Sequence, residues 1–319
     1  MRRIGSALLV LAVLFSSASC RQTIWVPPFG LPGFDGEESV TYVAYHEGGD
    51  YEMVNEAYQV TVKGSDGSIT AVDMPAETTG GLKTVTVPGY KNLTLDLYFA
   101  DYVISTPEQW LAFANPASVC DYGILTGDIT VNFTVRSPYE NDNSTIYSTS
   151  QENTVTFTGT ATDGQAALFI STDNVLLDGF TIVSQIEDMN AVKVTNGDSK
   201  TGVSTNVELR NMIIDGADVS KYVNFHQTKD CKITNCTIQN IKTGFNPNLQ
   251  IASSENLIID GLDVDTNAIM CDIKLESDDE VYYWPSDVTM RNLGNIKRVL
   301  INNSGFPDTV EGENVVHME

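Results

Sequence analysis

Apolar and polar positions follow a repeating pattern in the second half of the chain. The clearest copy, residues 174–182, reads Asn-Val-Leu-Leu-Asp-Gly-Phe-Thr-Ile. Counted from the leading Asn or Asp as position zero, apolar residues fall at positions one, three, six and eight, and position five is Gly or Asn. Further copies begin at Asn206, Asp230, Asn256 and, in degraded form, Asp287. Copies of one pattern at intervals of 24 to 32 residues indicate a repeat protein.

The pattern predicts two short strands in each copy. Positions one and three alternate with the period of a β-strand, and so do positions six and eight. Between the two pairs the alternation skips one residue, where Gly or Asn can adopt a left-handed backbone and turn the chain. A third strand is expected before each copy, over residues 167–170, 191–194, 222–226, 248–251, 270–275 and 298–301. Three strands per coil predict an all-β fold, a stacked parallel β-helix of about six or seven coils.

The position-five asparagines, Asn211, Asn235 and Asn292, are expected to stack and hydrogen-bond along one corner. With this asparagine ladder the chain resembles the right-handed parallel β-helix proteins of the pectate-lyase-like superfamily. The resemblance covers about half of the chain. It implies the fold, and it implies that a polysaccharide lies along one outer sheet. It does not specify an activity, because many functions share one scaffold.

The first residues read as an export signal. Residues 1–19 carry Arg2 and Arg3, a short apolar run and a small-residue stretch ahead of Cys20. This order resembles the lipoproteins of Bacteroidetes-type bacteria, and it predicts lipidation of Cys20 and a surface-exposed position on the outer membrane. Ordinary cleavage that leaves a free cysteine is the alternative. Residues 20–37 are rich in Pro and Gly and predict a tether.

Two further elements are expected before the coils. Short alternating runs between Gly-rich turns in residues 38–100 predict a small antiparallel β domain, or an N-terminal cap of the β-helix. Residues 101–319 form the β-helix, and its first element is a capping helix. Thr106 and Gln109 make a capping box for this helix, and Trp110, Leu111 and Ala114 are expected to share its buried face.

Composition narrows the function classes. The formal net charge is −24, with 42 acidic and 18 basic residues, which argues against nucleic acid or an anionic bilayer as a partner. The same charge counts against a polyanionic glycan. Cys231 and Cys236 occupy inward positions and are expected to be buried rather than reactive. No metal or cofactor motif is present, although calcium held by Asp272 or Glu276 stays open.

Candidate chemistry lies on the outward face of the strand that precedes each copy. Lys193 and His226 are candidates for proton transfer and Asp272 for holding a cation, the groups needed for elimination across a uronic acid. The candidates for glycan binding are Asn224, Gln250, Lys274, Arg298, Tyr282, Tyr283 and Trp284.

These residues support a surface lipoprotein whose β-helix binds a glycan with little or no catalysis. One alternative is a polysaccharide lyase or glycoside hydrolase of the same superfamily. A second is an adhesin or assembly subunit. The oligomeric state stays open.

Overall fold

The computed structural model describes a chain in two compact units, Met1–Asp101 and Tyr102–Glu319. The described residues are 21–25, 40–45, 58–63, 69–74, 80–86, 93–133, 138–148, 150–160, 166–196, 202–244, 247–265, 273–276, 285–296, 299–302 and 315–318.

The described residues of the first unit form two three-stranded sheets. Their strands are β1 (Arg21–Trp25), β2 (Val40–Tyr45), β3 (Tyr58–Lys63), β4 (Ile69–Met74), β5 (Gly81–Thr86) and β6 (Leu93–Phe99). The pairs β3–β4 and β5–β6 are antiparallel, as predicted for consecutive strands joined by short connections. The pairs β1–β3 and β2–β6 are parallel, so the sheets are mixed rather than purely antiparallel. Strand β1 lies inside the predicted tether, residues 20–37, so five residues of that stretch belong to a sheet.

A short helix, α1 (Pro107–Phe113), follows the first strand of the second unit. The predicted capping box is present, because Gln109 N donates to Thr106 Oγ1 at 3.3 Å and Thr106 N donates to Gln109 Oε1 at 3.0 Å. The predicted buried face is wrong in one residue. Leu111 is 44% exposed, whereas Phe113 is buried beside Trp110. Residues three apart share a helix face, and neighbours in sequence do not.

Three stacked parallel sheets form the rest of the unit. The first sheet contains β7 (Tyr102–Ile104), β8 (Tyr122–Leu125), β11 (Thr145–Ser148), β14 (Val175–Asp178), β18 (Val207–Arg210), β22 (Lys232–Thr234), β25 (Ile258–Asp260) and β28 (Thr289–Arg291). The second contains β9 (Ile129–Phe133), β12 (Thr154–Gly159), β15 (Thr181–Ser184), β19 (Ile213–Asp215), β23 (Thr237–Gln239) and β26 (Asp263–Val264). The third contains β10 (Pro138–Tyr139), β13 (Ala166–Ile170), β16 (Asn190–Val194), β20 (Val223–His226), β24 (Leu249–Ala252), β27 (Ile273–Glu276), β29 (Val299–Asn302) and β30 (Val315–Met318).

The chain visits the first, second and third sheets in turn, which confirms the parallel β-helix. From β8 to β28 it passes through the first sheet seven times, in agreement with the six or seven predicted coils. A small pair, β17 (Ser204–Thr205) and β21 (Thr228–Lys229), adds a fourth side to two coils.

The core runs along the inside of the coils and follows the sequence pattern. In the clearest copy, Val175, Leu177, Phe180 and Ile182 are all buried in one hydrophobic cluster. Cys231 and Cys236 are buried in the same cluster, as small apolar residues at inward positions. Burial of these side chains is the main contribution that holds the coils together.

Both corners of the first sheet use left-handed backbone. Position five does so at Asn211, with a φ of 53°, and at Gly179, with a φ of 82°. Position zero does so as well, at Asn174 with a φ of 57° and at Asn206 with a φ of 55°. A side-chain ladder joins these position-zero residues, with Asn206 Nδ2 donating to Asn174 Oδ1 at 3.0 Å and Asn174 Nδ2 donating to Asn143 Oδ1 at 2.9 Å.

The predicted ladder at position five is interrupted. Asn235 Nδ2 lies 3.5 Å from Asn211 Oδ1, but Asn292 belongs to a separate contact and donates to Asp260 Oδ1 at 2.7 Å. The interruption follows from Gly261, which occupies position five between Asn235 and Asn292 and has no side chain to bond. The corner therefore lies where the repeat predicts it, but its asparagine stack is not continuous.

Candidate functional site on the third sheet

The strand register places four of the candidate residues in one line. Lys193 on β16 pairs with Asn224 on β20, Asn224 pairs with Gln250 on β24, and Gln250 pairs with Lys274 on β27. We call these four residues the polar row. Neighbouring strands lie about 4.8 Å apart, so the row extends about 14 Å along the helix axis. It crosses the coils, as a linear polymer lying along the sheet would.

The residues flanking the row show which way it faces. Val192, Val194, Val223 and Phe225 belong to the buried core and alternate with the row residues along their strands. Because successive side chains of a strand point to opposite faces, Lys193 and Asn224 lie on the outer face of the sheet. Lys193 and Gln250 are partly exposed, whereas Asn224 is buried, with 6% of its surface accessible.

Contacts within the row are specific. Asn224 Nδ2 donates a hydrogen bond of 2.6 Å to Gln250 Oε1. Lys193 Nζ lies 5.9 Å from the ring centroid of Phe169, its register partner on β13, which is within the range of a cation–π contact. Phe169 is 1% exposed although it stands on the outer face, so one end of the row is closed by an apolar residue.

His226 lies beside the row. It follows Asn224 by two residues on β20 and therefore shares the outer face. Its Nδ1 lies 3.5 Å from Thr195 Oγ1, and its Nε2 is buried. From the strand spacing, the Cα atoms of Lys193 and His226 are about 8 Å apart on neighbouring coils. Lys193 and His226 are the two described candidates for proton transfer, and of the two only Lys193 has a partly exposed side chain whose charged end is not among the buried atoms.

Charge is distributed unevenly between the row and the chain. The register positions from Phe169 to Leu300 are Phe, Lys, Asn, Gln, Lys and Leu, so the row contains two cations and no carboxylate. The whole chain carries a formal net charge of −24. At the short distances of direct contact, local groups dominate the potential, because solvent and salt screen distant charges.

Several predicted residues cannot be placed in this geometry. Outside the described residues lie Cys20, Asp272, Tyr282, Tyr283, Trp284 and Arg298. Lys274 and Glu276 are placed by backbone register alone, and Glu276 continues the line from His226 through Ala252.

Among the described residues, no group of three His, Cys, Asp or Glu side chains could hold a metal ion. No helix in the described part of the chain is long and apolar enough to cross a membrane.

Two polar residues near this face were not predicted from the sequence. Thr195 lies beside His226, and Asn248 precedes Gln250 by two residues and is 1% exposed. The alternation that singled out Gln250 assigns Asn248 to the same face, so the signal for Asn248 was present. The contact between Thr195 and His226 could not be predicted in this way, because it depends on the register between two neighbouring coils.

No protein-family model matches the chain, and no curated protein does. Among solved structures, the chain is similar to an alginate lyase from Paenibacillus sp. str. FPU-7, with a TM-score of 0.43 and 13% identity over 67% of this chain and 73% of that one. Two A-modules of mannuronan C-5 epimerases from Azotobacter vinelandii also align. One has a TM-score of 0.33 and 12% identity, covering 62% of this chain and 59% of that chain. The other has a TM-score of 0.32 and 13% identity, covering 93% and 91%. Similarity at this level does not bear on substrate or activity.

Proposed function

We propose that the protein acts on an acidic polysaccharide that lies along the polar row. The observation that carries this proposal is the register, which lines up Lys193, Asn224, Gln250 and Lys274 on four successive coils. Two cations separated by two amides offer a repeating polymer both charge pairing and hydrogen bonds. The alternation of charged and neutral polar groups suits a uronate chain, in which each sugar carries one carboxylate and several hydroxyls.

The reaction that the row supports best is elimination across a uronate. A base removes the proton next to the carboxylate, a carbon–carbon double bond forms, and the glycosidic carbon–oxygen bond breaks as its oxygen takes up a proton. Lys193 and His226 are the proton-transfer pair, since they lie on neighbouring coils with their Cα atoms about 8 Å apart. Nε2 of His226 is buried in the free protein, so the imidazole must turn outward when the polymer binds. Lys274 pairs with the carboxylate of another unit farther along the row. Calcium held by Asp272 or Glu276 would add a further positive charge.

The direct test is turnover of defined polymers by the purified full-length chain. The substrates are polygalacturonate, polymannuronate, a carboxyl-reduced form of each, and a neutral glucan. The ultraviolet absorbance of unsaturated ends reports elimination, and new reducing ends report either elimination or hydrolysis. We expect unsaturated ends from a uronate polymer only. We also expect a loss of about 100-fold or more in turnover for Lys193→Ala and for His226→Ala.

Lys232→Ala is the matched control, because Lys232 is exposed on the first sheet, away from the row. Its turnover should equal that of the wild type. Binding of a uronate polymer without turnover, weakened by Lys193→Ala, would replace the enzyme with a glycan-binding protein. If the wild-type chain neither binds nor cleaves any polymer of the panel, the proposal is wrong in both forms.

We further propose that the chain is held at the outer membrane by a lipid on Cys20. The support is the order of residues 1–20, with two arginines, an apolar run and small residues before the cysteine. Cells that express the chain should incorporate radiolabelled palmitate into it, and Cys20→Ser should abolish the label. Label retained in Cys20→Ser would contradict the anchor.

A further inference from the structure

Three buried side-chain oxygens in or beside the third sheet accept no hydrogen bond from any described residue. They are Asn224 Oδ1 on β20, and Asn248 Oδ1 and Ser253 Oγ, which stand directly before and after β24. Asn224 is 6% exposed and Asn248 is 1% exposed, so bulk solvent does not reach either asparagine oxygen. Folded proteins rarely leave such acceptors unpaired, since an unpaired buried acceptor lowers stability. Two of them on one face indicate a place where a bound group supplies the missing donors.

The two asparagine oxygens belong to one region of the sheet. Asn224 pairs with Gln250, and Asn248 precedes Gln250 by two residues on the neighbouring strand. Their Cα atoms are therefore separated by a diagonal of about 8 Å. The amide of Asn224 is oriented by the hydrogen bond from its Nδ2 to Gln250 Oε1, and Oδ1 is the end of the amide that lacks a partner. Because that oxygen is covered in the free protein, a sugar hydroxyl reaches it only when the covering side chains move. One pyranose ring can span such a pair.

The chemistry of the surroundings selects the occupant. A cation would suit carbonyl oxygens, but Lys193 is the register partner of Asn224 on the outer face, so a metal ion would meet its ammonium group. Two acceptors beside a lysine fit a molecule that offers hydroxyl donors and carries negative charge. A uronate with free ring hydroxyls has both properties.

We propose that Asn224 and Asn248 form a hydroxyl-recognition subsite that selects uronates with free ring hydroxyls over O-acetylated ones. This inference rests on the proposed function, because the sugar is held in the polar row. Acetylation removes the donor that the buried oxygen needs and adds a carbonyl oxygen in its place. The acceptor is then unpaired and faces a second acceptor, so the acetylated polymer is rejected.

The wild-type chain tests the proposal without any substitution. Affinity for polygalacturonate and for its O-acetylated form is measured by calorimetry on the full-length protein, under conditions or with a His226→Ala background that prevents turnover. We expect the unmodified polymer to bind at least tenfold more tightly. Equal affinity for the two polymers overturns the subsite and leaves the proposed function intact. Failure to bind any uronate polymer removes both.

Variants locate the effect. Asn248→Leu and Asn224→Leu should each lower the affinity for the unmodified polymer at least tenfold and reduce the discrimination against the acetylated form. In the absence of ligand the thermal unfolding midpoint of Asn248→Leu should stay the same or rise, because the substitution removes a buried acceptor that lacks a donor. The midpoint of Asn224→Leu should fall, because this substitution also removes the donor of Gln250 Oε1. Asn132→Leu, at an exposed position of the second sheet, is the control and should leave binding unchanged.

The stability readout separates the subsite from a structural role. If Asn248→Leu lowers the unfolding midpoint and leaves binding unchanged, the oxygen is satisfied by an internal water and the inference is wrong. Should Asn224→Leu fail to fold, Asn248→Leu and the wild-type comparison of acetylated with unmodified polymer still decide the question.

Discussion

Single residues at the corners carry much of the specificity of this fold. Asn, Asp and Gly occupy position zero and position five of the repeat, and they are the residues that tolerate a positive φ. That part of the geometry was predictable from residue type. Gln227 and Ser253, with φ values of 53° and 50°, were not, because neither residue type favours the left-handed region. The stacking of neighbouring coils imposes that conformation on them.

The buried thiols predict an alkaline loss of stability. Burial raises the pKa of Cys231 to about 11 and that of Cys236 to about 12, from 9.0. The unfolded chain loses these protons near pH 9 while the folded chain keeps them. The two thiols therefore leave stability unchanged below pH 9 and lower it as the pH rises through 9 toward 11 to 12. Burial raises the pKa of Tyr139 too, so Tyr139 acts in the same direction.

The measurement is the urea midpoint between pH 7 and pH 10.5 for the wild type and for Cys231→Val with Cys236→Val. The valine variant should show a shallower fall above pH 9. Identical slopes would mean that the thiols do not contribute.

Two glycines at turns differ in the space that is available for a Cβ atom, and this difference can be tested by substitution with alanine. Both have positive φ, 127° at Gly159 and 82° at Gly179. A Cβ at Gly159 would lie 1.9 Å from the carbonyl oxygen of Phe133, whereas a Cβ at Gly179 would meet nothing within 4 Å. We expect Gly179→Ala to lower the free energy of unfolding by about 1 kcal/mol, the cost of the left-handed backbone. Gly159→Ala should cost clearly more, because a backbone oxygen must move. Chemical unfolding measures both, and equal costs would contradict the clash.

At the scale of elements, one arrangement of hydrogen bonds occurs twice at the corner after the first sheet. Asp178 accepts from Arg210 at 2.8 Å and from Asn211 at 2.7 Å. Three coils later, Asp260 accepts from Arg291 at 2.8 Å and from Asn292 at 2.7 Å. In both copies that have Gly at position five, position four is Asp. In each case the next coil has Arg at position four and Asn at position five. The arrangement links neighbouring coils through charge-assisted hydrogen bonds.

The two corners differ in exposure, and this predicts different costs. The side chain of Asp178 is 8% exposed and that of Asp260 is 25% exposed. Asp178→Asn should lower the free energy of unfolding by about 2 kcal/mol, because it weakens bonds to a charged partner in a nearly dry place. Asp260→Asn should cost less, since water screens the exposed pair. Urea unfolding of the two variants gives the comparison, and a larger cost at Asp260 would refute the argument from burial.

For the whole molecule, the net charge of −24 and the cationic row act on a polyanion at different ranges. The acidic surface repels an approaching uronate polymer, and the row attracts it only at contact. Between about 0.01 M and 0.1 M salt the Debye length falls from about 30 Å to about 10 Å, which shortens the range of the repulsion. We therefore expect the association rate to rise with salt, opposite to ordinary steering between opposite charges.

Stopped-flow mixing with polygalacturonate at several ionic strengths measures this dependence. The carboxyl-reduced polymer is the control and should show little change. An association rate that falls as salt is added would mean that long-range attraction controls the encounter, and that the acidic surface does not.

The sequence alone determined the repeat, the inward positions and the residue types at the corners, because each of these is a property of a few consecutive residues. Only the tertiary structure decided which side chains meet. Lys193, Asn224 and Gln250 share a row because of the register between coils, and that register depends on loops that make the repeat uneven. The same holds for the unpaired oxygens of Asn224 and Asn248. Burial of a polar atom depends on all the groups packed around it, and the pattern of residues along one strand does not show which groups of other strands pack there.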